Sequence, residues 1–532
     1  MISRRRFLLG GAAMGLAGYS RLGWSELTPV VTRPGLFEGH ALRDHHALPS
    51  PTAGYRTGVL ILGSGVAGLS AGWQLARGGR KDYMLLAGPE HYGNAAAGAF
   101  GARRFPRGAH YLPLPSMEST HVREMLAEAG VIESDPFAER PYYDERVLVH
   151  APDERLFVDG QWQEGLLPHA GRTVEGEQQA RFFQHVEQLK TARGGDGRRV
   201  FCIPVVLSSN DPAWRALDRL TFALWLDQQG YRAPGLRTYL DYCCRDDFGV
   251  SAAEVSAWAG LHYFAARAGQ AANAAAGAVL TWADGLNPLA RHLAGASRQQ
   301  WREGMAVRVE DTAAGVRALC AERRGGGWRT FTIDADRVIC AMPLHVAQHV
   351  IPHLRDYGFD PASHMPAHAA WLVSSFLMDG LPAEAPGAAL AWDNVVHGGR
   401  GLGYTVSTHQ DISQGPPAET VFTAYQVYSD RSPQAARHWL QSATPQALYA
   451  EAACDLEVVY GRRLRQRATA LDITVRGHAM ASPVPGFLSN AGLAALRGLD
   501  GRVLFAHSDL SGFSVFEEAA WWGVQAARQA LA

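Results

Sequence analysis

Residues 58–77 read Gly-Val-Leu-Ile-Leu-Gly-Ser-Gly-Val-Ala-Gly-Leu-Ser-Ala-Gly-Trp-Gln-Leu-Ala-Arg, and no other stretch constrains the fold as tightly. Val59 to Leu62 form a short apolar run that predicts a buried strand. Gly63, Gly65 and Gly68 follow at GxGxxG spacing, and a small-residue helix is expected to run to about Arg77. Each glycine has a separate duty: a tight turn, close backbone approach to a pyrophosphate, and close helix–strand packing. The free N–H groups and positive end of the helix favour a diphosphate. Strand, glycines and helix in this order predict a dinucleotide site, with Ser64 inside the turn. A glycine-rich turn without a ligand is the alternative.

The first residues carry a second signal. Ser3-Arg4-Arg5-Arg6-Phe7-Leu8-Leu9 resembles the twin-arginine export pattern, with Leu9 where a lysine is common. An apolar run rich in Gly and Ala continues to Tyr19, shorter than the ~20 residues of an ordinary spanning helix. Residues 1–30 are therefore set aside as a targeting segment, with Gly15-Leu16-Ala17 as a small-x-small cleavage site. The alternatives are a basic N-terminal arm and an uncleaved anchor. The expected location is the periplasm, with the twin-arginine export machinery as a partner and no stable membrane span unless the segment stays attached. That route suits proteins that fold around a cofactor before export.

At 532 residues the chain has room for about three domain-sized units. A net charge of −1 points to no nucleic-acid partner and no anionic membrane. Lys81 and Lys190 are the only lysines. The six cysteines, Cys202, Cys243, Cys244, Cys320, Cys340 and Cys454, show no metal spacing, so no metal is expected. They read as core residues, with a disulfide open to them in an oxidising compartment. Residues 20–54 have no clear period and read as an extended lead-in. Tyr83–Leu86 predicts the second strand of the nucleotide unit. Val307–Val309, Gly315–Glu322, Trp328–Ile333 and Asp336–Pro343 predict strands, the last buried. Trp371–Met378 and Thr420–Tyr428 are strand-like, and a helix is expected around Pro445 to Tyr460. Near the end, Arg502–Ala506 predicts a buried strand, His507–Glu518 a polar loop, and Ala519–Leu531 a helix. A second strand–loop–helix unit so far from the first implies a nucleotide domain assembled from separated pieces.

On these motifs the chain resembles the flavin-dependent amine oxidase superfamily, which includes polyamine oxidases and carotenoid desaturases. The resemblance is close at the two ends, Val59–Gly93 and Phe505–Ala527. Ala335–Pro343 is similar to the strand before the family's second substrate-domain insertion, and Gly108-Ala-His-Tyr-Leu to the segment that passes the flavin ring. The resemblance implies an α/β fold, a GxGxxG Rossmann-like FAD-binding domain interleaved with a mixed α+β substrate domain. FAD-binding portions would be residues 55–115, 281–343 and 496–532, and substrate portions 116–280 and 344–495. It also implies non-covalent FAD held by Gly63, Ser64, Gly65, Gly68, Gly108, Ala109 and Asp509, with the Val307 backbone at the adenine. The nearest cysteine to the C-terminal flavin segment is Cys454.

Two positions depart from the family pattern. The acidic residue that ends the second strand is Ala87, which leaves Glu90 as the ribose contact. The lysine that oxidases of the family keep near the flavin is missing from Ala369–Ser375. A dehydrogenase or desaturase using an acceptor other than oxygen then competes with an oxidase. His110 and His478 are the catalytic candidates, each against a reading as a core residue; His478 falls in Gly477–Met480, which resembles the loop reaching the flavin from the substrate side. Trp392-Asp-Asn394 and Tyr425 are candidates for an aromatic pocket wall, and the Glu517 and Glu518 carboxylates complement a helix dipole. The expected substrate is a small molecule losing a hydride from a C–N bond, an amine or polyamine, or from a C–C bond. A desaturase or isomerase on an apolar substrate, and a non-catalytic flavin-bearing envelope protein, are the alternatives.

Overall fold

The computed structural model describes residues 27–44 and 47–532. The twin-arginine segment lies outside the described residues. Labels below follow chain order. The nucleotide sheet has the order β8(Trp301–Arg302)-β3(Tyr83–Leu86)-β2(Gly54–Leu62)-β11(Gly327–Cys340)-β10(Gly315–Arg324)-β9(Met305–Thr312). A further strand, β17(Val503–Phe505), lies parallel to the end of β11. β2 runs parallel to both β3 and β11, and Val59 to Leu62 are essentially solvent-free, as a run covered on both faces must be. The two strands expected at Trp328–Ile333 and Asp336–Pro343 are one, because β11 first pairs with β10 and then continues along β2.

Two small-residue helices cover this sheet. α2(Val66–Arg77) follows the glycine turn and α7(Phe516–Leu531) closes the chain. A Cβ at Gly523 of α7 would run into the carbonyl of Ala67, so the close crossing of the two helices depends on that glycine.

The second sheet has the order β1(Val30–Thr32)-β16(Ala468–Ala481)-β12(His368–Asp379)-β15(Glu419–Val427)-β14(Tyr404–Val406)-β13(Asp393–Val396)-β5(Glu154–Val158)-β6(Gln161–Glu164). The helices α3(Pro234–Phe248) and α4(Ala257–Ala265) lie beside it, and the short ladder β4(Tyr111–Pro113)–β7(Val279–Thr281) links the segment after Gly108 to the chain before β8. The lead-in is not merely extended. It holds β1, which pairs with β16, and α1(Leu36–Arg43), which lies over the cavity described next. Around Pro445–Tyr460 there are two helices, α5(Pro445–Ala452) and α6(Cys454–Tyr460). All six cysteines are free, and only Cys454 is not fully buried. Among the described residues no helix is long and apolar enough to cross a membrane.

Candidate active site

One cavity of about 850 Å³ runs from the glycine turn to the space between α3, α4 and the second sheet. Its volume falls in the upper part of the about 300–1,000 Å³ typical of ligand sites. Gly63 has φ +109°, a conformation that needs glycine, and lies against the carbonyl of Ala341. A Cβ at Gly68 would run into the Gly63 carbonyl, whereas one at Gly65 would meet no protein atom within 4 Å. Gly65 caps α2 without a side-chain bond, so the first N–H groups of the helix open onto the cavity with Gly65, Val66 and Ala67. The Ser64 hydroxyl donates to Ala87 O at 2.6 Å and thereby closes the turn rather than reaching out. Open space over Gly65 beside bare helix N–H groups fits a dinucleotide diphosphate.

The other expected cofactor residues separate. Gly108 and Ala109 line the cavity, and Tyr425 donates to Gly108 O at 3.2 Å. On β9 the lining residues are Met305 and Ala306; Val307 sits at the irregularity where the β9–β10 register shifts and is not in the wall. Glu90 lines the cavity, but its carboxylate is held by Arg476 at 2.9 and 3.1 Å. Glu38 of α1 is a further carboxylate on the lining, overlooked because the helix is short and weakly periodic. Asp509 is fully buried on the lining. It accepts from His368 Nε2 at 3.0 Å and Leu344 N–H at 2.9 Å, and lies 3.3 Å from His507 Nδ1. Burial alone would raise its pKa, but His507 and His368 outweigh burial and hold it well below the usual range.

His478 is not in a loop. It belongs to β16, where Gly477, His478 and Ala479 oppose Ala370 alone, and this bulge turns the segment into the cavity. The His478 ring stacks on His345 at 4.0 Å, and burial, with Arg437 and His368, lowers its pKa to about 3. Among the described residues no three His, Cys, Asp or Glu side chains are placed to hold a metal.

His110 lies at the other end, its ring 4.5 Å from Tyr425, 5.0 Å from Tyr111 and 5.6 Å from Trp392. Burial lowers its pKa to about 3, so it is a neutral imidazole. Near this aromatic end are carboxylates, of which sequence reading passed over Asp246 and Asp247 and gave Glu517 only a helix-dipole role. Asp247 pairs with Arg267, whose guanidinium lies 4.1 Å over the Tyr263 ring. Among the described residues Asp246, Asp393 and Glu517 form no such ion pair. Burial, reinforced by Asp247, pushes Asp246 up to about 7. Burial likewise takes Glu517, on the first turn of α7, up to about 7. Asp393 is raised well above its ordinary value by burial, then by Asp246 and Glu154. After burial itself, Asp393 and Asp246 raise the Tyr242 and Tyr425 hydroxyls; Asp246, Glu517 and Tyr425 line the cavity, whereas Asp393 and Tyr242 lie outside its lining. A signal was present: Asp246 and Asp247 fall in the last turn of α3, where a helix dipole disfavours negative charge. Asn394 is structural, with its oxygen 2.6 Å from Arg155 Nε.

Residues 61–129 match the family described as an NAD(P)-binding Rossmann-like domain. No curated protein matches the chain in sequence. Among solved structures, putrescine oxidase bound to putrescine is similar over 89% of this chain and 99% of its own, at 14% identity and TM-score 0.61. Cyclohexylamine oxidase from Brevibacterium oxydans IH-35A is similar over 89% and 98%, at 17% identity and TM-score 0.59. A fatty acid isomerase from P. acnes that produces CLA is similar over 88% and 97%, at 16% identity and TM-score 0.55. These likenesses establish the fold: a Rossmann-like nucleotide domain joined to a mixed second domain.

Proposed function

We propose that this chain is an FAD-dependent oxidoreductase that removes a hydride from the C–N bond of an amine. The observation that carries the reading is the chamber at the end of the dinucleotide cavity, where Asp246 and Glu517 line the wall beside aromatic rings and, among the described residues, form no ion pair. Carboxyls in such a place are held partly protonated by burial and would ionise against an ammonium ion, and tyrosine and tryptophan faces add cation–π attraction. The likeness to an oxidase of putrescine and one of cyclohexylamine supports the same reading. The fatty acid isomerase shares the fold, but an anionic substrate would be repelled by these carboxylates.

The glycine turn, the α2 N-terminus and Asp509 would hold FAD, which when bound supplies the hydride acceptor. No cysteine is among the residues lining the cavity, which supports non-covalent attachment. The protein's own work is positioning: Asp246 and Glu517 would fix the ammonium end, and Tyr425, Tyr111 and Tyr263 would exclude water beside it. The cavity-facing residues of β12 include Trp371 and Val373 rather than a lysine, which favours an electron acceptor other than oxygen. Export by the twin-arginine route belongs to the same reading and rests on Ser3–Leu9. Mixing the purified holoprotein with primary amines and with unsaturated fatty acids, without air, tests the function. Amines should bleach the flavin; a flavin untouched by any amine while a fatty acid is isomerised would replace this reading.

A further inference from the structure

His110 borders two cavities. One is the main cavity; the other is a pocket of about 10 Å³, close to the space of a single water. The small pocket carries polar groups from Thr281, Thr405, Ser407 and Gln410, and it ends at Ser407 and Gln410, which are half-buried at the surface. Gln410 is fixed there, accepting from His150 N–H at 3.0 Å and donating to Leu148 O at 2.6 Å. Among the described residues neither ring nitrogen of His110 bonds to protein; only its carbonyl does, accepting from Thr281 Oγ1 at 2.8 Å. His110 thus borders both the chamber and a water-sized space, with both ring nitrogens unbonded.

We propose that His110 is the proton exit of the amine chamber, passing a proton from the main cavity at one ring nitrogen to the small pocket at the other. This inference rests on the amine reading above. A proton has to leave in either of two events. An entering cation displaces protons that Asp246 and Glu517 hold near neutral pH. An ammonium ion must also become a neutral amine before its hydride can depart. With cofactor and amine in the main cavity, the small pocket would offer the proton a separate way to water. In the step, the ammonium N–H proton passes to the bare ring nitrogen while the proton on the other nitrogen passes to water. R–NH3⁺ and H2O become R–NH2 and H3O⁺, and no electrons move. The first tautomer returns by proton exchange with water once the product has left the main cavity. Imidazolium never accumulates, in keeping with a buried ring that stays neutral.

The test mixes holoprotein with benzylamine, putrescine or cyclohexylamine, without air, in weakly buffered solution containing a pH indicator. Proton release and flavin bleaching are followed together in wild type, His110→Phe, His110→Ala and Ala283→Leu, the last of which plugs the small pocket and leaves the ring in place. Bound FAD and amine affinity are measured for each variant as a check on folding. Loss of a proton-transfer group of this kind slows a step about a hundredfold. His110→Phe and Ala283→Leu should slow release and bleaching together by about that factor, and added imidazole should restore His110→Ala in proportion to its concentration. Wild-type rates in His110→Phe, or a slow His110→Ala that imidazole does not rescue, would overturn the relay alone. Amines that neither bleach the wild-type flavin nor release a proton would overturn the amine reading and the relay with it.

Discussion

Glu90 and Arg476 meet through two contacts, 2.9 and 3.1 Å, across the boundary between the nucleotide sheet and the second sheet. Arg476, only 8% exposed, also donates to Arg107 O at 2.6 Å and Gly93 O at 3.2 Å. One guanidinium on β16 therefore fastens the turn after β3 and the approach to His110. Arg476→Ala leaves Glu90 and two carbonyls without their donor. A loss of roughly 3–5 kcal/mol is expected for a broken buried pair. Urea unfolding and FAD retention should fall together, and unchanged values in both would show that the guanidinium is not the fastening.

Gly65 and Gly68 should fail differently. Gly68→Ala drives a methyl into the Gly63 carbonyl and should lower the melting temperature of the apoprotein. Gly65→Val points into open cavity space, so the apoprotein should melt near wild type yet bind no flavin. Calorimetry of both apoproteins and the colour of both preparations check this pair. A yellow Gly65→Val protein would contradict the placement of the diphosphate.

Asp246 links stability to pH. Its carboxyl titrates at about 7 in the fold against an ordinary 3.8, so between those values the fold holds a proton the open chain does not. Stability from this group is full at low pH and is lost as pH rises through that window. Once ionised, the carboxylate costs up to about 4 kcal/mol. Asp246→Asn should therefore melt higher than wild type by about 1–3 °C at about pH 8, with no gain near pH 4. The same substitution should weaken amine binding at about pH 8, where the native carboxylate is charged. An equal gain at both pH values would contradict the burial argument.

Export should require the arginine pair. Arg4→Lys combined with Arg5→Lys is expected to leave folded, FAD-loaded protein in the cytoplasm, read by fractionation and flavin absorbance. Normal export of that variant would make the segment an ordinary leader.

What could be read from sequence follows from distance along the chain. Gly63, Gly65 and Gly68 declare their roles because turn, helix start and packing contact are local. The final strand and helix were legible because β17 and α7 are short, apolar and consecutive. The chamber was hidden because Asp246 and Glu517 come from two distant segments, and their charge becomes costly only when those segments meet. Glu517 shows the difference: a dipole explains a glutamate at a helix start, but only the fold shows that this one lines the cavity. His478 was assigned to a loop because a bulge inside a long strand leaves no alternation to read.

The central claim is amine oxidation by a flavin in this chamber, and an air-free titration of the holoprotein with a primary amine tests it most directly. Flavin absorbance and released carbonyl product are measured at each addition. The account predicts complete bleaching with one carbonyl formed per flavin, and loss of most of that reactivity in Asp246→Asn. A wild-type flavin that stays oxidised through the titration, or that bleaches without carbonyl product, would contradict it.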